Sequence, residues 1–264
     1  MINFIIENAI LKQYQGDEEK VVIPENVKII GYQAFMDCIN LRVVELHKDR
    51  EEIEDSAFAG CSNLEKVFLH NDNVKIGNCV FLGCENLQVT IKEGLKYWGN
   101  QDNPYVYLLS AEDKDILVAN VDEQCKFIGT NSFRNCCNLK EAIIPKNVIN
   151  IQMSAFYGCI NLSKVTFNNI IQVIGDYAFD GCENLTDIVF GNNLTAIGYG
   201  AFQGCKKLKK LELPNSLIEI GEKAFFGCYL LKTLSFSGTQ EKWDSVQKGD
   251  MWKMYTQVKK ISFN

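Results

Sequence analysis

Residues 174–190 read I-G-D-Y-A-F-D-G-C-E-N-L-T-D-I-V-F, and residues 197–214 repeat the plan as I-G-Y-G-A-F-Q-G-C-K-K-L-K-K-L-E-L-P. The cysteine of this unit recurs every 23 residues, at Cys38, Cys61 and Cys84 and then at Cys136, Cys159, Cys182, Cys205 and Cys228. The one wider gap, from 84 to 136, is 52 residues, which is one unit of 23 plus an insertion of 29. Three positions before each cysteine stands Phe35, Phe58, Phe81, Phe133, Phe156, Phe179, Phe202 or Phe225. Three positions after it stands leucine, from Leu41 to Leu231, and eight before it isoleucine, from Ile30 to Ile220. Glycine follows the isoleucine in six of the eight units. The consensus is I-G-x-x-A-F-x-x-C-x-x-L-x-x-V-x-L, with proline next at Pro145 and Pro214.

A 23-residue coil cannot bury its apolar side chains alone, so each must lie against its copy in the next coil. The L-x-x-V-x-L segment predicts a short strand, stacked in parallel at a spacing of ~4.8 Å. The A-F-x-x-C segment predicts a single helical turn on the opposite wall, with the glycine relaxing the backbone before it. The expected fold is therefore an α/β-type repeat solenoid with a parallel sheet on one face and short helical turns on the other. The phenylalanine column is its main internal support, each buried ring contributing roughly 2–3 kcal/mol. The cysteines are expected to be small buried hydrophobes where coils crowd. Cys125 supports this, since V-D-E-Q-C-K-F-I at 121–128 aligns with I-P-E-N-V-K-I-I at 23–30. Cys79 and Cys137 fall outside the column and have no reading from sequence.

The repeat covers 23–92 and 121–236, as three units and five. The third unit is one residue short after Leu87, and an insert at 93–120 follows. The insert predicts a loop, Y-W-G-N-Q-D-N-P-Y, and then a hairpin turning near Ala111–Asp115. Residues 1–22 predict an amino-terminal hairpin cap with a turn at Gly16–Glu19. Residues 237–264 predict a carboxy-terminal cap, in which Thr239 starts a helix that Gly249 ends, followed by a final strand, V-K-K-I-S-F. Raw solenoid ends expose apolar surface, so dissimilar caps are expected.

Composition agrees with a folded chain: 264 residues, 47% hydrophobic, 23% charged, net charge −6 and pI about 5.1. Basic residues form no run, which argues against nucleic acid and anionic membrane as partners. No stretch approaches the roughly 20 apolar residues of a membrane span. The first residues lack a positively charged segment, and Glu7 interrupts the apolar run. No secretory leader is expected there, and the chain reads as cytoplasmic.

The unit I-G-x-x-A-F-x-x-C-x-x-L-x-x-V-x-L-P resembles the BspA-like leucine-rich repeat family over most of residues 21–236. F-S-G-T-Q-E-K-W in the tail and Y-W-G-N-Q-D-N-P-Y in the insert also resemble pieces seen in bacterial members. The resemblance implies a parallel-sheet solenoid without catalysis. Many members are cell-surface or secreted proteins that attach to host or neighbouring-cell proteins.

Chemistry has few candidates. His47 and His70 each stand nine residues after a cysteine and open the triplets His47-Lys48-Asp49 and His70-Asn71-Asp72, so two imidazoles and two carboxylates could stack and hold a divalent metal. The alternative reading is two solvated residues. A thiol enzyme would need an exposed thiolate near a base, and neither a phosphate loop nor a cofactor motif is present. Strand alternation points residues five and seven after each cysteine outward. That face carries Phe68, Ile143, Thr166 and Val189 among alternating charges such as Lys164 and Asp187. An apolar centre with a charged rim fits recognition of another protein, of unspecified identity. The leading expectation is a non-enzymatic protein-binding module for adhesion or partner interaction. An intracellular structural scaffold is the alternative, and a metal- or thiol-dependent enzyme the remote one.

Overall fold

The computed structural model describes residues 3–167 and 170–263. The chain forms two compact units, Met1–Thr90 with Tyr97–Val106, and Ile91–Lys96 with Tyr107–Asn264. Each unit is a parallel-strand solenoid, and each has two strand ladders where the sequence predicted one.

In the first unit the strands Ile29–Ile30, Glu52–Ile53 and Lys75–Ile76 stack in register, Ile30 on Ile53 on Ile76. The strands Lys20–Val22, Val43–Glu45 and Lys66–Phe68 form the other ladder. In the second unit the isoleucine ladder runs from Tyr107–Ala111 through Phe127–Ile128 to Gln247–Lys248. Its companion runs from Val118–Asn120 through Glu141–Ile143 to Ile261–Phe263.

The expected helical turn is absent: A-F-x-x-C is a chain of tight turns. A helix would direct each amide to the carbonyl four residues back. Here the Phe179 N–H donates instead to Ala201 O of the next coil at 2.7 Å, and the Phe202 N–H to Ala224 O at 2.8 Å. Left-handed residues on either side of the phenylalanine, Tyr177 (φ 54°) and Gly181 (φ 74°), further exclude a helical run. The left-handed position just before the ladder cysteine is where glycine's freedom is needed. The glycine after isoleucine has a different reason from the one expected. A Cβ on Gly221 would stand 2.5 Å from the backbone of Gly198, so that column is small because successive coils touch there.

The phenylalanine column is buried and stacked. Ring centroids lie 4.9 Å apart for Phe133–Phe156, 5.0 Å for Phe156–Phe179 and 5.1 Å for Phe179–Phe202. Tyr14 and Trp98 close the column of the first unit, and Trp252 meets Phe225 edge-on in the second. The ladder cysteines are free thiols, mostly buried, and they do more than fill space. Six of the eight donate to the phenylalanine carbonyl 26 residues earlier, among them Cys61 to Phe35 at 2.9 Å, Cys159 to Phe133 at 3.0 Å and Cys228 to Phe202 at 3.1 Å. A second polar column, not anticipated from the repeat pattern, runs beside them. Asn63 donates its side-chain amide to Ile39 O at 2.9 Å, Asn161 to Cys137 O at 2.8 Å and Asn184 to Ile160 O at 2.8 Å. These bonds satisfy carbonyls that the turns leave open. Cys79 now has a place, as one of the left-handed turn residues at φ 56°.

The ends and the insert also differ from expectation. The amino-terminal hairpin pairs Phe4–Glu7 with Ile10–Tyr14 through Asn8 and Ala9, both left-handed. Gly16–Glu19 instead carries the chain from one ladder to the other, ending at Lys20–Val22. In the insert, Tyr107–Ala111 and Val118–Asn120 pair not with each other but in parallel with Phe127–Ile128 and Glu141–Ile143. This buries Leu108 and Ala119 completely, whereas a free hairpin would leave one face in water. The two-residue turn of the insert is Glu93–Gly94, again left-handed at both positions (φ 51° and 74°). The carboxy-terminal helix spans Gln240–Ser245, with the Thr239 hydroxyl accepting from the Lys242 N–H at 3.2 Å. It stops before Gly249 because Gln247–Lys248 joins the isoleucine ladder, and the Gly249 N–H donates to Ile220 O at 2.8 Å. Trp252 O then accepts from the Phe225 N–H at 2.7 Å, so the tail makes one more, degenerate coil.

Candidate protein-interaction surface

Strand alternation places the side chains of the second ladder as expected. Val44, Val67, Ala142, Val165, Ile188 and Leu211 are buried, and their neighbours in sequence face outward. In the second unit Ile143 is 42% exposed and Val189 is 76% exposed, with Thr166, Lys164 and Asp187 also exposed. Register puts Ile143 beside Thr166, Glu141 beside Lys164, and Lys164 beside Asp187. Val189 pairs with Glu212. Lys164 and Glu141 form an ion pair across adjacent coils. Such exposed pairs contribute little stability, and they order the charged rim more than they hold the fold.

Phe68, 44% exposed, does not extend this column. The strand neighbour of Ile143 on its amino-terminal side is Asn120, because the insert strand Val118–Asn120 occupies that position. Phe68 lies instead in a groove of about 390 Å³ within the first unit, lined by Glu65 to His70 on one side and by Gln88 and Trp98 to Gln101 on the other.

The histidine candidates do come near one another. His47 and His70 both line a shallow groove of about 360 Å³ with Glu25 and Glu45. Of their predicted acidic partners, Asp49 meets His47, whereas Asp72 is held by another side chain. His47 Nδ1 is 3.4 Å from Asp49 and its Nε2 is 3.7 Å from Glu25. Asp72 is held by the side-chain amide of Asn103 at 3.2 Å. Among the described residues, no three His, Cys, Asp or Glu side chains are placed to share a metal ion. The buried ladder thiols are poor nucleophiles, whereas a hydrogen bond with Cys61 draws the half-buried Cys38 below the usual thiol range. Burial pushes Cys84, Cys125 and Cys228 up to about 12, Cys136 up to about 11, and Cys182 and Cys205 well above the usual thiol range. Thiolate is the reactive form, and at neutral pH these groups hold almost none. Cys137 is exposed, but neither histidine lies in its coil.

A repeat whose coils share buried aromatic and thiol columns, a side-chain amide ladder and two parallel strand ladders defines a leucine-rich-repeat scaffold. The chain belongs to the family of the BspA type leucine rich repeat region, whose model matches residues 6–101 and 124–246 in six copies. It is similar to the crystal structure of a leucine rich cell surface protein from Faecalibacterium prausnitzii, with 19% identity, TM-score 0.57, and coverage of 93% of this chain and 96% of that one. A leucine-rich repeat protein from Eubacterium ventriosum is similar at 16% identity and TM-score 0.50, covering 95% and 89% of the two chains. One from Bacteroides ovatus matches at 18% identity and TM-score 0.43, covering 100% and 98%. At these identities the likeness concerns the fold. A search of curated proteins finds no match. Scaffolds of this repeat family are generally non-enzymatic, and leucine-rich repeat domains commonly mediate protein interactions. Among the described residues no helix is long and apolar enough to cross a membrane.

Proposed function

We propose that this chain is a non-enzymatic protein-binding module that serves adhesion or partner interaction through the outward face of the second unit's Val118–Phe263 ladder. The observation that carries the reading is the pair of exposed apolar residues Ile143 and Val189, set among Glu141, Lys164, Asp187 and Lys210 on a rigid hydrogen-bonded ladder. The backbone that carries these side chains is already held in the ladder, so little backbone entropy is lost on binding. Apolar anchors inside a charged rim give affinity and register together. The name of the Faecalibacterium prausnitzii protein, a cell surface protein, agrees with a role in contact between cells or proteins.

The test is Ile143→Glu combined with Val189→Glu. Both sites are exposed, so the variant should fold as the parent does. Charges at central anchors should cost at least ~2 kcal/mol of binding, or about thirtyfold in affinity. Partners captured by the parent chain should be absent from the variant; an unchanged set would overturn the proposal.

A further inference from the structure

Within the first unit, the ladder that begins at Lys20–Val22 stops at the strand Lys66–Phe68, although a third repeat follows it in sequence. The cause is a register slip. After Leu41 and Leu64 the inward valine comes three residues later, at Val44 and Val67, but after Leu87 the apolar residues are Val89 and Ile91, two and four later. A one-residue shift turns a strand's apolar set to the opposite face. Val89 and Ile91 are accordingly 37% and 52% exposed, and Thr90–Lys92 is paired beside Leu95–Trp98 rather than beside Lys66–Phe68.

This diversion leaves a strand edge open. The Lys66 N–H donates to Arg42 O at 3.0 Å, and Phe68 O accepts from the Leu46 N–H at 3.2 Å, so both residues face the preceding coil. Alternation turns the Val67 N–H and C=O and the Leu69 N–H the other way. Only the Gln88 N–H, bonded to Glu65 O at 2.8 Å, continues the ladder, and among the described residues no strand meets Val67. The edge faces the groove of about 390 Å³ whose far wall is Trp98 to Gln101. That wall is built: Asn100 Oδ1 accepts from the amides of Asp102 and Asn103, and the Asn103 side chain is tied to Asp72.

We propose that this groove receives an extended segment of a partner protein, which adds to Lys66–Phe68 as a parallel strand. The inference rests on the partner-binding reading above and names a different surface for it. Alternating N–H, C=O and N–H at strand spacing is matched by a polypeptide backbone and by few other ligands. The side chains set the sequence. Opposite Lys66 an acidic residue fits, as Glu141 meets Lys164 in the second unit. Opposite Val67 a small apolar residue turns inward, towards Trp98. Opposite Phe68 a larger apolar residue covers the exposed ring.

The order acidic, small, apolar occurs in N-L-K-E-A-I-I-P, residues 138–145, and a synthetic peptide of that sequence is the probe. Titrated into the 15N-labelled full chain, it should give saturable shifts centred on the Val67 and Leu69 amides. N-methylation of its first isoleucine blocks the amide that faces Val67 O and should weaken binding at least tenfold. N-methylation of its alanine, whose amide faces away, should change binding less than twofold. Lys66→Glu should weaken it severalfold. The Ile143→Glu/Val189→Glu variant should bind as the parent does, which separates this site from the outward face. Equal binding by the two N-methyl peptides, or no shift at Val67 and Leu69, would overturn the proposal. So would a self-associated chain that the peptide dissociates, since the groove would then belong to a second copy.

Discussion

Phe179→Ala tests whether the aromatic column carries the second unit. Phe179 is completely buried, stacked on Phe156 at 5.0 Å and 6° and on Phe202 at 5.1 Å and 2°. Phe167 also meets it edge-on at 5.8 Å. Loss of the buried ring removes roughly 2–3 kcal/mol of transfer free energy, and each broken ring–ring pair adds about 0.5–1.5 kcal/mol. The cavity cannot close along the solenoid axis, because hydrogen bonds such as Phe156 N–H to Ala178 O at 2.7 Å fix the distance between coils. The expected cost is therefore towards the upper part of the ~3–5 kcal/mol range for such truncations. Phe179→Leu keeps most of the burial and should cost only ~1–2 kcal/mol. Urea unfolding is the assay, followed by tryptophan fluorescence in parent chains that keep either Trp98 of the first unit or Trp243 and Trp252 of the second. The transition of the second unit should move while that of the first stays. An alanine cost below ~1.5 kcal/mol, or a leucine cost equal to it, would refute the reasoning.

Asp180 supplies a pH-dependent prediction. Burial raises its carboxyl to about 6, opposed by the Gln203 amide at 3.5 Å and the Arg134 charge. A raised acid favours the folded state while protonated, so this contribution is present below the unfolded value near 4 and is lost as pH rises through about 6. Asp180→Asn should therefore stabilise the chain at pH 7, by ~1 kcal/mol once solvent screening of a half-buried group is counted, and the gain should vanish at pH 4. Thermal unfolding at the two pH values checks this, and a gain that does not shrink on acidification contradicts it. Thiol labelling of the native chain should modify exposed Cys137 first and leave buried Cys159, Cys182, Cys205 and Cys228 protected until unfolding. Mass spectrometry after a short pulse reads the order, and comparable labelling at all five would count against the buried ladder.

The coil was legible because its period is exact at four columns and each column maps to one physical requirement. The wall opposite the strands was not legible. A-F-x-x-C has helical spacing over one turn, and a single turn cannot show whether an amide bonds within its own coil or to the next. Glycine before the cysteine, as at Gly158, Gly181 and Gly204, was the available signal for a left-handed break, and Asn63, Asn161 and Asn184 were the signal for a side-chain ladder. Both columns recur at the same interval as the cysteine. The degenerate coils at 107–120 and 247–263 were hidden for another reason. They keep the ladder pairings but lack the phenylalanine–cysteine pair by which the period is counted. The outward face followed from alternation alone, but the separation of Phe68 from Ile143 did not, because it depends on which strand the insert adds to the ladder.

Repetition itself separates structure from recognition in this chain. The isoleucine, phenylalanine, cysteine and leucine positions face the neighbouring coil and keep one residue type through eight units, whereas positions five and seven after the cysteine mostly face outward and differ from unit to unit. The thiol illustrates how strict the inner requirement is. Alanine would fill the space less well and donate nothing to the carbonyl 26 residues back, and serine would bring a hydroxyl with a larger desolvation cost. Valine would add a branch where coils already touch. A sulfur that is small, apolar and still a weak donor meets all three demands, which accounts for the recurring free thiol. The same logic marks residues 87–92. There the apolar spacing slips by one, and in place of the next strand the Lys66–Phe68 edge stands open beside a built wall. A lapse that merely weakened the core would be expected to leave the coil loose. Here the loop opposite is instead pinned by Asn100 and Asn103, so the opening is held in shape.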